Sequence, residues 1–521
     1  MSLIKKHYLL IVFCIMIAFP RVALVGKGAF SFPDESRYHQ SSAALSSLFN
    51  NDVTGFCKCI MNTQGRPGDT LLRLIPMAVQ LLLYKWDGIP VENPDSLRIP
   101  AIFNVIISLL ISIVFYNISL QLFENNRAIA FISTLTYSLL SNNNIYIRHI
   151  LPYDEALLCF LVVLYLLLKW RSENLKYIAK CIIIGFLTGF GFAIYPGYYF
   201  FPILIFTFIV FTGTEKVLSK TKAIKVFSFA ISSLSVLLLY EVLARLGGSS
   251  YMLSLLNLSE TITEGSFEEG FSFLPKYLIG VEKYAGVFIL LCTLFFTATV
   301  IYRVFRYGLP IKYNNHLNLL CVSMLGGFLL HASATTIFHK MVFYGRLVHI
   351  YFPFLIFATI AFLLEIKNAK LKNILLGLFI AVSVVSFIGF FKDYLSLAYP
   401  RDVLYKHRIL TEHIDLSHKV CETNCSYPSF PISSPPPLSI KTNAPYSDET
   451  NFILVNFCFF NIISGWSGED FSTFRPSQNH KLIYKAKHFL AFDPYTFEGY
   501  GIKERKMLKE RNYNVAIYKI E

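Results

Sequence analysis

Residues Leu71–Leu83 read LLRLIPMAVQLLL, and whether this run crosses a membrane decides the topology of the chain. It is the shortest of twelve apolar runs, 13 residues long against the ~20 that a helix needs to span a bilayer. Arg73, Gln80 and Tyr84 fall close to one helical stripe, the pattern of a helix resting in the interface. The other runs are Tyr8–Val25, Ile99–Phe123, Ala128–Ile147, Asp154–Leu168, Tyr177–Ile194, Gly197–Phe211, Ala223–Leu243, Gly286–Ile301, Leu317–Phe338, Val348–Leu364 and Leu371–Phe391. The 521 residues are 54% hydrophobic and only 15% charged, with a mean hydropathy of +0.51. A soluble domain carries roughly 25% charged residues, so this composition excludes a soluble protein, a disordered chain and a coiled coil. What remains is an all-α polytopic membrane protein.

Charge sets the orientation. The net charge of +14 is concentrated in four short loops: Lys169, Arg171, Lys176 and Lys180; Lys216, Lys220, Lys222 and Lys225; Arg303, Arg306 and Lys312; Lys367, Lys370 and Lys372. These alternate with loops poor in Lys and Arg, so the positive-inside rule assigns them to the cytoplasm. The basic surplus is a topology signal and implies no nucleic-acid partner. If all twelve runs crossed, Lys5 and Lys6 would lie outside; Leu71–Leu83 therefore stays in the interface, leaving eleven crossings. The first run resembles a signal peptide, but no convincing small-residue cleavage site follows it, so it is read as a retained span.

This topology makes 1–391 a transmembrane domain whose 26–98 segment is one long external loop. That loop is expected to hold two interfacial helices. Ser36–Phe49 repeats apolar residues at Leu45, Leu48 and Phe49 with Asp34 as N-cap, and Thr70–Trp86 follows. Residues 392–450, with Pro435–Pro437, read as an external Pro-rich linker. Residues 451–521 read as a small external α/β domain, with strands at Phe452–Phe460, Leu482–Phe489 and Val515–Ile520 and a helix around Ile502–Arg511. Cys14, Cys159, Cys181, Cys292 and Cys321 lie in apolar runs and pack there. Cys57, Cys59, Cys421, Cys425 and Cys458 lie in polar segments, where an oxidising compartment favours disulfides over metal ligation.

With that orientation, Phe32–Tyr38, Arg66–Asp69, Arg148–Glu155 and the turn holding His339, Lys340 and Arg346–His349 share the external face. Ionisable groups at membrane depth cost about 2.5–3.5 kcal/mol on insertion scales and mark function by default. Each also has a structural explanation. Asp34 and Asp154 precede helices and would cap them; Arg148, Lys340 and Arg346 would snorkel as anchors. His39, His331 and His349 would be ordinary core or surface histidines, and Gly185 and Gly189 a GxxxG packing pair. Capping, however, requires neither an acidic pair at two turns nor arginines from other segments beside them.

Pro33–Tyr38, just after the first span, resembles the acidic loop motif of the C-type (GT-C) membrane glycosyltransferases, most nearly the lipid A aminoarabinose transferases and protein O-mannosyltransferases. Arg66-Pro67 is similar to their basic-residue-plus-proline motif, Leu97–Pro100 to the start of their next span, Pro152–Asp154 to their second external acidic motif, and Arg346–Pro353 to their late Arg/Lys-to-Pro segment. The likeness runs over roughly residues 1–390. Arg66 stands where a Lys is usual, and Gly68 replaces the second proline.

The resemblance implies sugar transfer from a polyprenyl-phosphate donor to a glycan, lipid or protein acceptor, among membrane lipids, on the external face. Such a transfer needs a base for the acceptor proton and a cationic clamp for the departing phosphate. Asp34 is the expected base; Glu35 would orient the acceptor or tune Asp34; Asp154 would position an arginine or the acceptor. Arg66, Arg148, Lys340 and Arg346 form the expected phosphate clamp, assisted by His149 and His349. No cofactor is required, although the acidic pairs would allow a divalent metal. The expected site of action is the bacterial inner (plasma) membrane. The alternative is a transporter or flippase of a lipid-linked or anionic substrate, which should show inverted repeats and broken mid-membrane helices; the sequence has no internal duplication.

Overall fold

The computed structural model describes residues 2–25, 35, 37–63, 65–88, 96–170, 177–211, 219–263, 270–307, 316–339, 345–396, 420–423, 440–442, 452–456, 479–485 and 515–521. The helices are α1 (Ser2–Val25), α2 (Tyr38–Phe49), α3 (Val53–Met61), α4 (Pro67–Asp87), α5 (Arg98–Leu122), α6 (Arg127–Ser138), α7 (Asn142–Ile145), α8 (Tyr153–Lys169), α9 (Tyr177–Ile194), α10 (Phe200–Phe211), α11 (Lys220–Leu246), α12 (Tyr251–Thr263), α13 (Phe273–Val281), α14 (Lys283–Tyr307), α15 (His316–Phe338), α16 (Gly345–Val348), α17 (Phe352–Glu365) and α18 (Ala369–Ser396). Among the described residues five helices are long and apolar enough to cross a membrane, and four shorter apolar stretches accompany them. The protein is a multi-pass helical membrane protein. Unlike the sequence reading, the fold also contains α3, α12 and α13.

The centre of the bundle is α8. Leu157, Phe160, Leu161, Val163 and Leu164 point in several directions around it and are all buried, as befits a helix apolar all round. It packs on α5, whose Phe115 ring is stacked between Tyr137 of α6 (4.3 Å) and Phe357 of α17 (4.6 Å). The pair α9 and α11 packs through Gly185 and Gly189. A Cβ on either would come within 2.4 and 2.6 Å of the Phe229 and Ser233 carbonyl oxygens, so the backbones approach as small residues allow. Ser232 and Ser233 hydroxyls donate across this seam to the Ile182 and Gly185 carbonyls.

Two departures from the sequence reading bear on function. The run Ala128–Ile147 does not form one helix, because α6 stops at Ser138. The Asn143 amide donates to the Tyr137 carbonyl (2.6 Å), and the Asn144 amide to the Ser138 and Leu140 carbonyls (2.9 and 2.7 Å). Side-chain amides thus take the bonds that further helix would have used. The second departure is α4, which starts with Pro67 in its first turn and ends at Gly88, φ 73°. Its polar residues Asp69, Arg73 and Gln80 are buried, while Ile75, Val79, Leu82, Tyr84 and Trp86 are exposed. Arg73 and Gln80 face protein, not water, and Tyr84 does not share their burial.

In the C-terminal part, β1 (Val420–Thr423), β2 (Ile440–Thr442), β3 (Phe452–Asn456), β4 (His480–Lys485) and β5 (Val515–Ile520) form one sheet of order β2-β1-β3-β5-β4. β1 runs parallel to β2 and β3; β5 runs antiparallel to β3 and β4. β1 and β2 come from the stretch expected to be linker, so the sheet recruits residues on both sides of position 450. The expected helix Ile502–Arg511 lies outside the described residues, as do Cys425 and Cys458. Cys57 and Cys59 are free thiols on α3, which corrects the expectation that these two cysteines take part in disulfides.

Candidate active site

The site grows from the first turn of α8, where Asp154 and Glu155 sit at a helix N-terminus that favours negative charge. Both are buried, so each needs a partner. Glu155 is held by Arg73 of α4, whose Nη2 lies 2.5 Å from Glu155 Oε1 and donates to the Leu151 carbonyl at 2.8 Å. The same guanidinium reaches Asp69 Oδ1 through Nε (3.3 Å) and Asn104 Oδ1 through Nη1 (2.5 Å). Asn104, on α5, donates in turn to the Ile147 and His149 carbonyls at 3.0 and 2.7 Å. One arginine therefore clamps α4, α5, α8 and the 147–151 turn. Burial pushes the Asp69 carboxyl above its usual range, against the pull of Arg73, Arg66 and Arg37.

Asp154 is held differently. Its Oδ1 lies 2.8 Å from His349 Nε2, and His349 Nδ1 lies 2.5 Å from Asn142 Oδ1. The Asn142 amide nitrogen donates to Tyr277 Oη (2.6 Å) and toward the Gly345 carbonyl (3.5 Å). Glu282, between α13 and α14, accepts the backbone N–H groups of Ser141 and Asn142 at 2.7 Å each. Burial raises the Glu282 carboxyl to about 7, and those two N–H groups oppose the rise. On the far side of the same turn, Arg21 of α1 donates to Asn144 Oδ1 (3.2 Å), Ser108 Oγ (3.1 Å), Ser112 Oγ (3.4 Å) and the Ser138 carbonyl (3.4 Å).

The first acidic motif reaches this assembly through Glu35. Fully buried, it accepts the Ile150 N–H at 2.8 Å and faces His149 Nδ1 at 3.5 Å. Arg66, at the start of α4, lies over the Tyr195 ring, 5.2 Å from its centroid. Tyr195 contacts Tyr153 and Tyr198 edge-on, and Tyr153 contacts Tyr146, whose ring packs against His349. Gly68 lets α4 come this close, since a Cβ there would meet the Ile194 nitrogen at 2.8 Å.

Of the residues expected from sequence, Glu35, Arg66, His149, Asp154 and His349 thus come together around the α8 N-terminus. Asp34 and Lys340 lie outside the described residues; for Arg148 and Arg346 only the backbone is described, on the Tyr146–Arg148 turn and on α16. Residues the sequence reading did not assign to the site are the hubs Arg73, which it read only as part of an interfacial stripe, and Asn104, Asn142, Glu282 and Arg21. A signal for two of them was present: an arginine inside the first apolar run, and three consecutive asparagines, Asn142–Asn144, inside another. Among the described residues no three His, Cys, Asp or Glu side chains are grouped to hold a metal ion. What the arrangement offers chemically is a set of fixed carboxylates, imidazoles and guanidiniums whose orientation is set before any ligand arrives.

No protein-family model matches the sequence, and no curated protein matches it. Solved structures do match. The crystal structure of ArnT from Cupriavidus metallidurans bound to undecaprenyl phosphate covers 99% of this chain and 98% of its own, with a TM-score of 0.53 at 9% identity. An oligosaccharyltransferase of Archaeoglobus fulgidus, tethered to an acceptor peptide through a disulfide bond, covers 81% of this chain and 62% of its own, with a TM-score of 0.44 at 10% identity. Over nearly its whole length, then, this chain shares the fold of ArnT.

Proposed function

We propose that the protein transfers a sugar from a polyprenyl-phosphate-linked donor to an acceptor hydroxyl at the outer face of a bacterial inner membrane. The observation that carries this reading is the bond from Glu35, neighbour of Asp34, to the Ile150 N–H. It sets Glu35 against the turn that leads to Asp154, two carboxylates more than a hundred residues apart in sequence. In the proposed step the Asp34 carboxylate takes the acceptor hydroxyl proton as that oxygen bonds to the anomeric carbon. The bond from the anomeric carbon to the phosphate oxygen breaks with its electron pair going to the phosphate, in a single inverting displacement. Arg66, Arg148, Lys340 and Arg346 receive the charge that develops there. Side chains supply all the positive charge, so the reading requires no cofactor. A glycan, a lipid A-like lipid or a protein would serve as acceptor.

The test supplies purified protein with a labelled polyprenyl-phosphate sugar and an acceptor extract and follows release of the bare lipid phosphate. The wild type should release it and Asp34→Asn should lose at least a hundredfold, the lower end of what a general base contributes. Equal rates for the two would overturn Asp34 as base. Movement of intact donor across vesicles with no release would instead favour the flippase.

A further inference from the structure

The hydrogen-bond geometry at His349 fixes a proton count. A neutral imidazole has one N–H and one bare nitrogen. Both nitrogens of His349 face oxygen atoms at bonding distance: Asn142 Oδ1 at Nδ1, and Asp154 Oδ1 at Nε2. Turning the Asn142 amide so that its NH2 met the ring would set its oxygen against the Gly345 carbonyl, which can only accept, whereas Tyr277 Oη would serve either orientation. Its oxygen is therefore the atom His349 meets, and Nδ1 must carry a hydrogen. A second hydrogen must then lie between Nε2 and the Asp154 carboxylate, since two bare atoms at 2.8 Å would repel. Whether it is drawn on the ring or on the acid, the pair is neutral overall, the form that burial favours for both residues.

We infer that Asn142 is a positioning residue that locks the Nδ1–H of His349, and that His349 and Asp154 form a dyad holding one proton between their facing atoms. The groups around the dyad suit it. Glu282 does not touch the ring; it grips the Ser141 and Asn142 N–H groups and so fixes the turn that presents Asn142. The Tyr146 ring packs edge-on against the imidazole. Glu155, next to Asp154, is paired with Arg73, and the positive charge of Arg21 acts on Asp154 from the α1 side. A proton held this way is available to a phosphate oxygen leaving the sugar. That use rests on the proposed transfer reaction, whereas the protonation state does not.

The experiment reads the protonation state directly. Full-length protein labelled with 15N-histidine is examined in detergent at neutral pH, with His349→Gln used to assign the His349 signals. In the wild type Nδ1 of His349 should have the shift of protonated nitrogen, and Nε2 should be displaced from the bare position toward it by the hydrogen it shares with Asp154. Asn142→Leu should return Nδ1 to the bare position; Asn142→Asp, which keeps the acceptor, should retain both protons. A bare Nδ1 in the wild type, or a spectrum unchanged by Asn142→Leu, would overturn the inference. The wild-type spectrum decides the matter even where Asn142→Leu fails to fold. Lipid-phosphate release is measured on the same samples. A protonated Nδ1 without release would leave the dyad standing and remove the transfer reaction; release with a bare Nδ1 would do the opposite.

Discussion

Two regions of the molecule bury charge in opposite ways. Where α4 meets α8, charge answers charge: Arg73 lies against the carboxylates of Glu155 and Asp69. Around the 138–144 turn, the groups hydrogen-bonded to charge are dipoles. Arg21 bonds hydroxyls, a carbonyl and an amide oxygen, and Glu282 bonds two backbone N–H groups from the other side of the same turn. The first arrangement is a rivet, since removing one member leaves its partner charged in a dry place. The second is a frame in which an anion and a cation grip opposite ends of one short piece of chain. Loss of either leaves uncharged groups unsatisfied, which costs less. The contrast suits the two jobs, because the rivet fixes a helix onto the bundle whereas the frame sets the position of a single side chain, Asn142.

The largest expected effect comes from breaking the rivet. Arg73→Leu should destabilise the protein by about 3–5 kcal/mol, the range for uncovering a buried charge, seen as a fall in thermal midpoint in detergent. The double change Arg73→Leu with Glu155→Leu should recover part of that loss, because no carboxylate is then stranded at position 155. If the double variant is no better than the single one, the Arg73–Glu155 contact is not the rivet.

Glu282 tests the frame by pH. Its carboxyl is raised from 4.5 to about 7 by burial, so between these values the folded state holds a proton that the unfolded chain has released. The stabilisation is fully present below about 4.5 and is lost as pH rises through about 7, an effect of roughly 3 kcal/mol at most. The thermal midpoint should therefore fall across that window in the wild type. Glu282→Gln, less stable throughout because one N–H loses its acceptor, should remove the fall. Arg21→Met should cost less still, about 1–3 kcal/mol, with no change in the pH dependence.

How much of this was legible beforehand follows from what each signal depends on. Lipid-facing helices announce themselves by length and apolarity, so α5, α11, α14, α15 and α18 fall close to their apolar runs. For Leu71–Leu83 the brevity and the polar stripe both point away from a crossing helix, but the stripe has another cause: Arg73 and Gln80 are polar because they meet buried partners on neighbouring elements. Which partner Arg73 meets was not legible, because Glu155 is 82 residues away and only the packing of α4 on α8 joins them. The break in α6 was hidden for a different reason. Asn143 and Asn144 stop the helix by bonding carbonyls of its own last turn, and a hydropathy average dilutes three amides among seventeen other residues. The carboxylates and histidines were legible because such residues are rare in an apolar chain; the asparagines that orient them were not, since asparagine is ordinary in any turn.

A third way of answering a buried cation gives the smallest effect. Arg66 lies over the Tyr195 ring, an interaction of about 0.5–2 kcal/mol. The approach depends on Gly68, whose missing Cβ leaves room for the backbone of Ala193 and Ile194. Tyr195→Phe keeps the ring face and should leave the strength of donor binding within about twofold, because only the hydroxyl is lost. Tyr195→Leu should weaken it by roughly two- to thirtyfold, which is the same energy expressed as a ratio. Gly68→Ala should match or exceed that loss, since the neighbour it meets is backbone and cannot swing aside; α4 would have to withdraw and carry Arg66 off the ring. Donor affinity measured by competition with undecaprenyl phosphate would rank the three. If Tyr195→Phe is as poor as Tyr195→Leu, the hydroxyl and not the ring face holds Arg66. The cation would then be answered by a dipole, as Arg21 is, and not by a π surface.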